Sequence, residues 1–185
     1  MKRCARPIVD NLTPPVDLDR DHWRDGERAT VTLVEHADDG CPYSRMNVRA
    51  IQRLEQQLGG QLRFVFRHLP LTSIHPHALA AAHLAEAAAL EGRFWPMHEL
   101  LFHHQRALED TDLWGYADQL GLDRGRLSVD LDSHRVWQRV QANADSALES
   151  GARGTPTLFI NGWLHQAGYD EATLGTALAT AINER

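Results

Sequence analysis

The residues best suited to chemistry in this 185-residue chain are Cys41-Pro42-Tyr43-Ser44. A cysteine thiolate is a nucleophile, and a proline directly after it fits the first position of a helix. A second cysteine three residues on would let the pair open and close a disulfide unaided, but the chain carries Ser44 there. Ser44 falls one helical turn past Cys41 on the same face and can donate its hydroxyl to a thiolate. It has no sulfur with which to break a mixed disulfide. The motif keeps the nucleophile and removes intramolecular resolution. Helix-terminal N–H groups favour the thiolate, while Asp38 and Asp39 are expected to oppose it by like charge.

The flanking elements must hold the thiol at a strand-to-helix junction. Val31 to Glu35 is a β-branched run that reads as a buried strand, and Asp38-Asp39-Gly40 reads as a turn. From Pro42 to Leu58, apolar Met46, Val48, Ile51, Leu54 and Leu58 approximate helical spacing, and Gly59-Gly60 provides a stop. Leu62 to Leu69 alternates as a strand. The unit is β-α-β, which requires a right-handed crossover. From about residue 76 to 151 the signal is helical, with expected helices at Ala78–Leu90, Phe94–Leu108, Asp112–Leu120 and His134–Ser150. Gly154 to Gly162 then reads as a strand ending in an Asn-Gly hairpin turn, followed by a strand over Trp163–Gln166 and a helix over Glu171–Ile182. Residues 1–28 show no clear periodicity and read as an irregular arm; the domain is placed at residues 29–185.

Hydrophobic residues make up 43% of the chain and charged residues 24%, with a formal charge of −6. That balance fits a globular domain and gives no basic surplus for nucleic acid. No run approaches the roughly 20 apolar residues of a membrane span, and the first residues lack the apolar core of a secretory signal, so the expected location is cytoplasmic. With two cysteines there is no disulfide framework, and a Cys4–Cys41 bridge in a reducing compartment would be transient or catalytic. Cys4 reads as an accidental cysteine rather than a resolving thiol. The chain has 11 histidines. His75, His77, His98, His103 and His104 are read as helix-start or helix-face residues, and no metal or cofactor is expected. Phe94, Trp95 and Phe102 read as core, Tyr43 and Trp163 as exposed contact residues.

The order of elements, with Cys-Pro-Tyr-Ser at a helix start and Gly154-Thr155-Pro156-Thr157 before a hairpin, resembles the DsbA-like branch of the thioredoxin superfamily. "FRHLPL" (66–71), "IHPHALAAAHLAEAA" (74–88), "GRFWPMHELLF" (92–102) and "GTPTLFING" (154–162) are similar to the DsbA-type thioredoxin domains found fused to sodium/proton antiporters. The resemblance implies an α/β thioredoxin fold with a helical insertion between its β-α-β and β-β-α halves. It implies that Pro156 is a cis-proline facing Cys41, and that Thr155 offers backbone groups to an extended substrate peptide by strand addition. It also implies that Glu35, six residues before Cys41, is the buried acid that serves the second cysteine. A structural carboxyl fits Glu35 equally well. The family pattern has an aromatic residue, often with an acid, before the cysteine, where this chain has Asp39-Gly40.

Three readings follow. In the first, Cys41 exchanges disulfides as a single thiol, with protein or peptide disulfides as partners and glutathione as a possible co-substrate. In the second, the chain is a non-redox peptide-binding or chaperone-like module. In the third, it is a dithiol enzyme whose second cysteine was changed to Ser44.

Overall fold

A computed structural model describes residues 11–26 and 28–184. Its centre is a mixed five-stranded sheet of order β1-β3-β2-β4-β5, formed by β1 (His22–Arg24), β2 (Val31–Ala37), β3 (Leu62–His68), β4 (Thr157–Ile160) and β5 (Trp163–His165). Helix α1 (Pro42–Leu58) is the crossover that lets β2 and β3 run parallel, in the register Val31↔Leu62 to Ala37↔His68. The other pairings are antiparallel. Helices α2 (Ala78–Ala89), α3 (Phe94–His103), α4 (Asp110–Gln119), α5 (Arg124–Leu131) and α6 (His134–Glu149) form the insertion, and α7 (Glu171–Asn183) closes the chain. This is the expected DsbA-like thioredoxin fold.

Because strand side chains alternate, the sheet register separates two faces. Leu33, Glu35, Phe64, Phe66 and Leu158 share one face, and all but Glu35 join the large apolar cluster with Ile51 and Leu54 of α1 and Leu174 and Leu178 of α7. Each such buried side chain contributes roughly 1.5–3 kcal/mol of transfer free energy. The other face carries Val34, Val65 and Phe159, packed against Leu12, Val16 and Trp23. It also carries Arg67, whose guanidinium holds both carboxylate oxygens of Asp21 at 2.8 Å and bonds Ser146 of α6 and the carbonyls of Pro14 and Pro15.

Those contacts correct the reading of residues 1–28 as an irregular arm. Within its described part, residues 11–24 cover one face of the sheet and supply β1, so a boundary at residue 29 cuts through the folded unit. Cys4 lies outside the described residues. Two further differences are local. Helix α3 ends at His103, before Leu108, and α5 is an added helix of eight residues, too short for its apolar pair Leu127 and Leu131 to declare a period in the sequence.

Candidate active site

Strand β2 ends at Ala37, and the next four residues turn the chain into α1. Cys41 is the N-cap residue, Pro42 takes the first helical position, and the turn closes with Cys41 N–H donating to the Asp38 carbonyl at 3.0 Å. Cys41 is only 5% exposed. Its Sγ donates to the carbonyl of Thr155 at 3.3 Å, across the groove from the loop that precedes β4. The Thr155–Pro156 peptide is cis, as is Thr13–Pro14. Cys41, Thr155 and Pro156 therefore meet. Tyr43 is 55% exposed beside them, its ring 6.1 Å from that of Tyr169 in an edge-on contact. An open groove of about 990 Å³ runs from this point along Gly154–Leu158, walled by Leu148, Leu164 and Tyr169.

Ser44 stands elsewhere than expected. Its side chain is fully buried, and its hydroxyl accepts from the Asp38 N–H at 3.5 Å rather than donating to the thiol. Glu35 is likewise buried, beneath α1, where one carboxylate oxygen accepts from Asn47 Nδ2 at 2.9 Å and the other has no partner among the described residues. Burial disfavours its charge and, with a smaller push from Asp39 and against the Asn47 bond, raises its pKa to about 8. Glu35 is therefore predominantly a neutral acid at pH 7.

Asp38 and Asp39, expected to oppose the thiolate by like charge, are both buried. Asp38 accepts from the Gly40 and Leu71 N–H groups at 2.6 and 2.7 Å and pairs with His75 Nδ1 at 2.9 Å. Asp39 is buried, and burial pushes its pKa up despite the nearby ring of His68, whose Nδ1 lies 3.6 Å away. His68 in turn faces Glu86 at 3.5 Å. One carboxyl is thus bonded and the other driven toward neutrality, which weakens the expected repulsion of a Cys41 thiolate.

Two residues outside the expected site shape it: Gln105, which sequence reasoning leaves unassigned, and His75, which it reads as a helix-start residue. Gln105, just past α3, donates through Nε2 to the carbonyls of Asp39 and Cys41 at 2.8 and 2.7 Å, so the insertion clamps the backbone on both sides of Gly40. His75 fills the space in front of Gly40: a Cβ added there would sit 2.6 Å from His75 Cβ and 2.9 Å from its Cγ. This explains the absence of the usual side chain before the cysteine, because a histidine from the β3–α2 loop occupies its room. Gly40→Ala is expected to displace His75 and cost about 1–3 kcal/mol, as overpacking does. Urea unfolding measures that cost, and a midpoint equal to wild type would refute it.

Residues 18–180 match the family described as Thioredoxin. The chain belongs to that family. The structure is similar to a thioredoxin-like oxidoreductase from Silicibacter pomeroyi (TM-score 0.80, 24% identity, 89% of this chain and 93% of that one). It is also similar to oxidised BdbD from Bacillus subtilis (TM-score 0.78, 20% identity, 94% and 99% covered). In sequence, it is 44% identical over 175 residues to the Na(+)/H(+) antiporter NhaA 1 of Salinispora arenicola, covering 95% of this chain and 26% of that protein. The thioredoxin-family chain thus spans about a quarter of the length of such relatives. Among its described residues no helix is long and apolar enough to cross a membrane.

Proposed function

We propose that this thioredoxin-family chain is a disulfide oxidoreductase that works through one thiol. Cys41 attacks a protein disulfide or a glutathionylated protein, and an outside thiol such as glutathione resolves the adduct. The observation that carries the reading is the placement of Cys41 Sγ, at the start of α1 and 3.3 Å from the Thr155 carbonyl, with Ser44 buried and bonded to Asp38. A substrate in extended form would align with Thr155 and Pro156 and rest on Tyr43 and Tyr169. The thioredoxin-like oxidoreductase among its structural neighbours supports the same class of reaction. The cytoplasm, where thiols are kept reduced, suits the need for a second thiol.

The test is turnover of a glutathionylated model peptide with glutathione in excess. Wild type should release the peptide thiol catalytically, and Cys41→Ser should reduce the rate to that of the uncatalysed exchange. Activity that survives in Cys41→Ser would reject the proposal. The groove beside Pro156 favours a second reading, peptide binding without redox chemistry. Peptide affinity unchanged in Cys41→Ala, with no turnover by wild type, would select it.

A further inference from the structure

His75 is the strongest group near the thiol that the exchange described above leaves unused. It lies in the loop between β3 and α2, and its Nδ1 is 2.9 Å from Asp38 Oδ2. The Asp38 side chain is completely buried and is held by the Gly40 and Leu71 N–H groups as well, so it fixes the ring rather than following it. The His75 side chain remains 21% exposed, and its Cβ and Cγ lie against Gly40, the residue before Cys41. A buried carboxylate, an imidazole oriented by it and a cysteine are the parts that covalent catalysis uses to handle protons.

We propose that His75, oriented by Asp38, is the acid–base group of the exchange at Cys41. The proposal rests on the single-thiol reading. Cys41, a thiol that donates to the Thr155 carbonyl in the structure, first passes its proton to His75. The thiolate then attacks one sulfur of R–S–S–R′, the Cys41–S–R bond forms, and the S–S bond breaks. The R′ sulfur leaves with the electron pair and takes the proton from His75 Nε2, while Nδ1–H stays on Asp38. The resolving thiol then gives its proton back to Nε2, and its thiolate displaces Cys41 from the adduct. Cys41 returns as thiolate and His75 as imidazolium, so the cycle balances with the low-molecular-weight thiol as its only co-reactant. Of the nearby titratable groups, Asp38 bonds the ring, Asp39 and Cys41 flank Gly40, against which His75 Cβ and Cγ lie, and His77 is two residues along the same segment.

The discriminating experiment uses two glutathione mixed disulfides that differ in the departing thiol. One releases an acidic aromatic thiol, which leaves without a proton, and the other a basic alkyl thiol, which needs one. His75→Gln should lower kcat/KM roughly 10²-fold for the alkyl probe and less than about threefold for the aromatic one, the signature of a lost general acid. Asp38→Asn should show the same selectivity in weaker form. Equal losses with both probes would reduce His75 to a structural role. The wild type supplies a check that needs no variant: its alkyl-to-aromatic rate ratio should fall with rising pH, as the general acid loses its proton. A flat ratio overturns the proposal. Absence of turnover with either probe would instead remove the single-thiol reading on which it rests.

Discussion

In the Ser44→Cys variant, the mixed disulfide between Cys41 and a substrate should collapse before an outside thiol reaches it. Position 44 is in the first turn of α1, one turn from Cys41. An intramolecular thiol so placed acts at an effective concentration of millimolar or more, so the adduct lifetime should fall roughly tenfold or further in dilute glutathione. The substrate thiol would leave, a disulfide would form between Cys41 and the introduced cysteine, and the variant would then need a reductant to turn over again. Neutral Glu35 beneath α1 would regain the proton-handling task that a buried acid has in a dithiol site. Acid quenching followed by mass spectrometry of the adduct measures the lifetime directly. An unchanged lifetime would show that the buried orientation of residue 44, turned to the Asp38 N–H, keeps it from the thiol, and would count against the reading of this chain as a dithiol enzyme lacking one sulfur.

The fold is legible in the sequence wherever a local pattern survives tertiary packing. The β-branched run at Val31, the alternation from Leu62 and the Asn161-Gly162 turn each declare themselves, and both turn residues do adopt positive φ. The strand His22–Arg24 is not legible, because three residues show no alternation and their pairing with β3 is a long-range event. On α1 the spacing also misassigns one face. Met46 falls in the apolar stripe yet is 61% exposed, while Ser44 and Asn47 are buried. The reason is chemical: that part of the helix lies over Glu35 and the Asp38 turn, where polar partners stabilise more than a methionine would. The same limit hides Gln105 and His75. Their neighbours are set by where the insertion and the β3–α2 loop fold back, which spacing along the chain does not encode.

Stability should peak between about pH 6 and 7 and decline on both sides, because buried groups of opposite type pull against each other. Burial, with Arg67 adding to it, lowers His36 to about 3. Burial, followed by Arg24, also takes His98 well below its ordinary value, where it packs among Phe66, Phe94 and Phe102 with neither ring nitrogen partnered among the described residues. Both rings are neutral when folded and take up a proton on unfolding in acid. The stability they contribute is therefore complete above the ordinary histidine value of about 6.5 and is lost as pH falls from there toward 3. Glu35 has the opposite sign. Its folded pKa of about 8 lies above the unfolded value of 4.5, so its contribution is complete below 4.5 and is lost as pH rises through 8. The full effect is on the order of 4 kcal/mol at pH 8, since each pKa unit is worth about 1.36 kcal/mol. Glu35→Gln keeps a side chain able to bond Asn47 and removes the ionisation. It should match wild type near pH 4 and exceed it by several kcal/mol at pH 8, measured as the difference in urea unfolding free energy. His98→Phe should act on the other limb, flattening the acid decline and leaving the alkaline one intact. If Glu35→Gln gave the same increment at both pH values, the gain would come from packing rather than from proton release, and the carboxyl beneath α1 would have to be ionised in the folded protein at neutral pH.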